Sequence, residues 1–169
     1  MKYLILTLSF VAAIFTFTAC EPVDLNSQVD YYISFSESDK VDQLAFSFSG
    51  ARAHQVNTDG SESFRTVYLD DKPIAIKFGE PQEAISLGSS DIEPSEVKAF
   101  DLFWGSLSAK LNNEPLELNF SDLTTAQVEI PFSTAEDKTV TFVVDLDASL
   151  VKQADGNYKF EPVIEIVVE

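Results

Sequence analysis

The chain is short of the residues on which most reactive chemistry depends. One Cys and one His in 169 residues exclude an internal disulfide, a Cys/His zinc site and a Cys-His nucleophile pair. Basic residues are scarce too: 11 Lys and Arg stand against 28 Asp and Glu, a formal charge of −17. That balance excludes a nucleic-acid partner, because phosphate backbones need clustered Lys and Arg to displace their counterions. No segment after the N-terminal run keeps apolar residues at 3, 4 and 7 spacing for three turns, so long amphipathic helices are missing as well. The length suits a single ordinary domain.

What is present begins with an address. Residues 1 to 19 read MKYLILTLSFVAAIFTFTA, with Lys2 ahead of an apolar run and no acidic residue, which is the layout of a signal peptide. The run ends in Phe17-Thr18-Ala19-Cys20, which resembles the lipobox of bacterial lipoproteins, with Phe17 standing where an aliphatic residue is more usual. The resemblance implies that Cys20 is the lipid attachment residue. Its thiol takes diacylglycerol, the peptide is cut before it, and the protein is held at the membrane by lipid. The competing reading is an uncleaved spanning helix, since the run approaches the ~20 apolar residues such a helix needs. From position 20 onward the chain carries 10 basic and 28 acidic groups, a formal charge of −18, so anionic surfaces repel the domain and lipid alone must hold it there.

Residues 20–29 are polar, contain Pro22 and lack periodicity, which reads as a tether. A single domain is expected over 30–169. Tyr31, Ile33 and Phe35 alternate with Tyr32, Ser34 and Ser36, and Leu44, Phe46 and Phe48 with Ala45, Ser47 and Ser49, so each segment buries one face. Asn57-Thr58-Asp59-Gly60 marks a hairpin leading to a strand with Phe64, Thr66 and Tyr68. Turns are expected at Asp70-Asp71-Lys72-Pro73 and at Gly79 to Pro81, and Gly88-Ser89-Ser90-Asp91 reads as part of a polar connection capped by Pro94. The most aromatic segment places Phe100, Leu102 and Trp104 on one parity and Val97, Ala99 and Phe103 on the other, as a central strand does. Gly105 marks a bulge, because Leu107, Ala109 and Leu111 take the opposite parity. Pro131 places the 128–132 segment at an edge or bulge. Val140 to Leu146 and Tyr158 to Val168 complete about nine short strands. The expected fold is all-β: a two-sheet, mainly antiparallel sandwich, immunoglobulin-like or prealbumin-like.

Towards the C-terminus, Val140-Thr-Phe-Val-Val-Asp-Leu-Asp-Ala-Ser-Leu-Val-Lys is followed by Asp155-Gly-Asn-Tyr-Lys-Phe-Glu-Pro-Val-Ile-Glu-Ile-Val. This arrangement resembles the end of a bacterial lipoprotein family known as domain of unknown function 4382. The Ile85-Ser-Leu to Ala99-Phe-Asp-Leu-Phe region and the opening strand pair are similar in layout. The family often carries a Thr-Asp-x-Pro element after its first strand, where this chain has Ser36-Glu37-Ser38-Asp39. The resemblance implies a secreted, anchored β-sandwich and supplies no catalytic residues.

Several groups could carry chemistry. Asp145 and Asp147, two apart on one strand, would leave the same face about 7 Å apart and could hold calcium with Asp155 or Glu161, although Leu150 stands where an EF-hand loop needs Gly. The same pair could act as glycosidase acids. Solvated charges are the simpler reading. His54 follows Arg52 without a recognisable triad context. Trp104, Tyr31, Tyr32, Tyr68 and Tyr158 could offer stacking surfaces, with Trp104 expected in the core and the exposed member of Tyr31-Tyr32 the better ligand candidate. The expected protein is therefore a monomeric lipoprotein of the bacterial cell envelope, at the outer membrane on its periplasmic or surface side. Its only membrane contact is the lipid on Cys20. Its sandwich is a non-catalytic binding or structural module for a polysaccharide or protein ligand, with no catalytic residues, metal or cofactor. The alternative is a calcium-supported hydrolase, or an accessory domain of a polysaccharide-processing system.

Overall fold

Alternating side chains give each segment one apolar face, and in the computed structural model those faces meet between two layers. The structure describes residues 27–67, 73–78, 83–121 and 123–169. Cys20, the expected tether up to residue 26, Tyr68 and the turns at 70–72 and 79–81 lie outside the described residues. The described chain is an all-β sandwich with more strands than the nine expected. In order they are β1 (Ser27–Phe35), β2 (Gln43–Asn57), β3 (Glu62–Val67), β4 (Ile74–Lys77), β5 (Ile85–Ile92), β6 (Ser95–Leu111) and β7 (Glu114–Leu116). There follow β8 (Leu118–Phe120), β9 (Leu123–Ser133), β10 (Lys138–Asp145), the single helical turn α1 (Leu146–Ser149), β11 (Leu150–Lys152), β12 (Tyr158–Phe160) and β13 (Val163–Val168).

One layer is built on the long strands β2 and β6, which pair antiparallel. β3 and β4 share the other edge of β2, and β9 and β7 share that of β6. The second layer holds β13, β10, β1 and β5 in that order, with the small sheet β11-β12-β8 as a separate unit. Pairing is antiparallel except for β1 with β10 and β12 with β8. Tyr31 and Phe142 of the second layer meet Phe100 of the first at ring-centroid distances of 6.1 and 5.3 Å. Phe160 of the small sheet meets Trp104 at 5.4 Å. These edge-on contacts are the arrangement that ring quadrupoles favour.

The bulge expected at Gly105 is present: Phe48 pairs with Trp104 and Ser47 with Ser106, leaving Gly105 unpaired. A Cβ there would stand 2.9 Å from the Ser47 hydroxyl oxygen and 3.7 Å from the nearest backbone atoms of β2, so a side chain would require the Ser47 hydroxyl to turn away. Beyond the bulge Ala109 is buried, as Trp104 is before it. Pro131 lies in a second bulge, where Val97 pairs with Phe132 but Ala99 with Gln127, and among the described residues β9 pairs with β6 alone.

Three expectations change, and the exposure of Phe64 is a new finding. Residues 27–29 are strand and not tether, since Val29 is fully buried and pairs with Lys138 and Ser90. The Gly88 to Asp91 stretch is also strand, because β1 supplies a ladder from Tyr31 to Gln28, and backbone pairing does not require apolar side chains at every step. Tyr158 to Val168 is two strands in different sheets, broken at Pro162, which has no N–H to continue a ladder. Phe64 is 62% exposed: Val67 is the buried residue of β3, which puts Phe64 on the opposite parity.

Candidate functional site

Asp145 and Asp147 do not share a strand face. Asp145 ends β10 and caps α1, its Oδ1 accepting from the Ala148 N–H at 3.0 Å. Asp147 lies within the turn, and its Oδ1 accepts from the Ser38 hydroxyl at 2.6 Å while Lys40 donates to its carbonyl. The physical reason is capping: a carboxylate following a strand satisfies the orphan N–H groups of a helical turn better than it continues a ladder. The Ser36–Asp39 loop docks on this turn, since the Ser36 hydroxyl accepts from the Leu146 N–H at 2.9 Å. Asp155 accepts from the Asn157 N–H in its own turn, and Glu161 pairs with Lys159. Among the described residues no three His, Cys, Asp or Glu side chains are grouped to hold a metal ion.

The aromatic candidates separate. Trp104 is buried as expected, and its indole N–H donates to Thr124 at 3.1 Å. Tyr31 is fully buried, and burial pushes its hydroxyl up to about 12 against the smaller opposing effects of Ser90 and Arg65. Tyr32 and Tyr158 are half-buried, the latter beneath Lys152.

His54 is where the structure departs most from the sequence reading, because strand register brings it to an Asp after all. β2 pairs with β6 so that Arg52 stands opposite Asp101 and His54 opposite Ala99. The Asp101 carboxylate is 4% exposed, Arg52 41% and His54 30%. Oδ2 receives Arg52 Nε at 3.0 Å and also Nη2. Oδ1 receives the Thr125 hydroxyl at 2.7 Å. His54 Nε2 lies 2.9 Å from Oδ2 without an aligned hydrogen bond. Burial raises the Asp101 pKa, but the Thr125 hydroxyl, the close His54 imidazole and the Arg52 guanidinium outweigh it and hold the group at about 2.

Three rows of side chains line this outer face of the first layer. The first runs Phe64, His54, Ala99, Gln127; the second Thr66, Arg52, Asp101, Thr125; the third Gly50, Phe103, Leu123. The Arg52 guanidinium lies 4.8 Å from the Phe64 ring centroid and 5.6 Å from that of Phe103, and His54 meets Phe64 edge-on at 4.6 Å. The buried carboxylate thus fixes Arg52, and Arg52 with His54 fixes an exposed aromatic ring. Sequence reasoning missed Asp101, although a signal existed. It is the one charge between Ala99 and Phe103 on their shared parity, and a charge in an apolar row needs a partner.

A separate groove of about 600 Å³ opens between β9 and β13, lined by Val128, Pro131, Phe132, Ile166 and Val168 with Lys138 and Glu136 at its rim. Neither a protein-family model, nor a curated protein, nor a solved structure matches the chain.

Proposed function

We propose that the protein is a lipid-anchored lipoprotein of the bacterial cell envelope, of the kind that domain of unknown function 4382 represents, and that its sandwich is a non-catalytic binding or structural module. The lipobox-like Thr18-Ala19-Cys20 junction after an apolar run supports the anchor. One observation carries the non-catalytic reading: both oxygens of the buried Asp101 are occupied by Arg52, His54 and Thr125. A carboxylate held at about 2 is a weak base at neutral pH, and the His54 nitrogen facing it has no hydroxyl to activate. The charges on this face are spent on holding geometry. Asp145 and Asp147, the other pair considered for acid–base or calcium chemistry, accept from Ala148 and Ser38.

The test has two parts. A Cys20→Ser variant of the full chain should lose incorporated palmitate and leave the membrane fraction; retention after a carbonate wash would mean that an uncleaved helix is the anchor. The purified mature chain, residues 20–169, should show no turnover across glycoside, ester and peptide substrates. Turnover abolished by Asp101→Asn or Asp145→Asn would overturn the non-catalytic assignment.

A further inference from the structure

We propose that the outer face around Phe64 binds the uncharged pyranose rings of a polysaccharide, with the ring of Phe64 as the stacking platform. This rests on the binding-module reading above and gives it a place and a ligand class. Phe64 is the most exposed large apolar side chain among the described residues, at 62%, yet it is held in place: the Arg52 guanidinium lies over one face of the ring at 4.8 Å and His54 abuts it at 4.6 Å, so a sugar would stack on the opposite face. A fixed exposed ring loses little entropy when a ligand stacks on it.

The surroundings select among ligands. Arg52 commits Nε and Nη2 to Asp101, leaving the Nη1 donors for hydroxyl groups, and Thr66 and Gln127 are exposed in adjoining positions of the same rows. An apolar protein partner would need a contiguous apolar patch, whereas the charged row of Arg52 and Asp101 separates Phe64 from Phe103 and the exposed Leu123, the other large apolar side chains of this face. Anionic polymers and anionic lipid surfaces are disfavoured, because Asp101 neutralises Arg52, Lys98 is paired with Glu62, the exposed Glu96 lies beside them, and the whole chain carries −17. A neutral sugar remains. It offers a flat face of C–H groups to the ring and equatorial hydroxyls to Arg52, Thr66 and Gln127.

The experiment uses the mature chain from residue 20 with Cys20→Ser, so that it does not depend on lipidation. Migration is followed in native gels containing dextran, glucomannan, arabinoxylan or galactan, with alginate and polygalacturonate as anionic controls. Flotation with phosphatidylcholine and with phosphatidylglycerol vesicles runs alongside. At least one neutral glycan should retard the protein. Phe64→Ala should weaken that binding about tenfold, and Gln127→Ala less, with the urea midpoint of Phe64→Ala lowered by no more than about 0.5 M because the side chain lies mostly in water and loses only its Arg52 and His54 contacts. No retardation by any neutral glycan would overturn the proposal, as would binding indifferent to Phe64→Ala or binding confined to anionic polymers or vesicles. Reducing ends released from a bound glycan would instead refute the non-catalytic reading while leaving the site in place.

Discussion

Asp101→Asn tests the electrostatic core of this face, because it removes one charge and almost no volume. With the carboxyl at about 2 in the fold against 3.8 unperturbed, the carboxylate contributes about 2 kcal/mol at neutral pH, at 1.36 kcal/mol per unit. The Asn oxygen can still accept from Thr125, but its amide offers no charge to Arg52 and His54. Arg52 is 41% exposed, so water recovers part of its lost partner. The cost therefore stays below the roughly 3–5 kcal/mol of a buried charge left alone. A loss of about 2 kcal/mol is expected at pH 6, lowering the urea midpoint by about 1 M for a domain of this size. The only Trp, Trp104, is buried and reports unfolding by fluorescence.

The pH dependence makes the test sharper. A carboxyl depressed in the folded state contributes fully above its unfolded pKa, and that contribution disappears as pH falls through the folded value. The gap between wild type and Asp101→Asn should thus hold above about pH 4 and close towards pH 2, while the other acids titrate in both proteins and cancel. A gap that stays constant from pH 6 to 2.5, or one under about 0.5 kcal/mol at pH 6, would refute the assignment of charge to this contact.

Two further predictions concern the fold. Phe142→Ala removes a fully buried ring lying 5.3 Å from Phe100 and 6.4 Å from Tyr31, and should cost about 3–5 kcal/mol in urea unfolding; a cost below 1 kcal/mol would contradict the packing of the two layers. Asn112 and Asn113 form the β6–β7 turn at φ 53° and 63°, so Asn113→Val should cost about 1–2 kcal/mol whereas Asn113→Gly should match or exceed wild-type stability.

The sandwich was legible because period-two alternation survives in the strands that bury one face. Tyr31, Ile33, Phe35, Leu44, Phe46 and Phe48 are all buried as their parity requires. The Gly105 bulge was legible for the same reason, as a change of parity across one residue. Which way Phe64 faces was not legible, because its strand has a single buried residue, Val67, and parity cannot be set by an apolar side chain that faces water. The split at Pro162 and the α1 turn were hidden in alternating segments whose parity runs on across the break, from Phe160 to Ile164 and from Val144 to Leu146. The Asp101 cluster was the least accessible. Arg52 and Asp101 are 49 residues apart, and only the β2–β6 register, set after two intervening bulges, places them together.

The register also limits how an anchored domain can stand. Ser27 pairs with Ile92, and Ser95 pairs with Asn57, so the start of β1 and the Asn57 hairpin lie at one end of the sandwich. Gln55, Ser95 and Thr134 seal that end through buried hydrogen bonds of 2.8 and 2.9 Å. From Cys20 to Ser27 is seven residues, at most roughly 25 Å of chain, whereas the 15 residues of β2 extend roughly 50 Å. If lipid on Cys20 holds the protein, the chain cannot reach the bilayer from the far end, so the hairpin end must face it. The β11-β12-β8 sheet with the α1 turn then points away from the membrane. Phe64 lies only a few residues from the hairpin, on the flank of the domain, and would meet polymer lying along the membrane surface. Asp59, Glu93 and Asp137 belong to the same end, and in a lipid-held protein their charge would keep that end off an anionic headgroup layer.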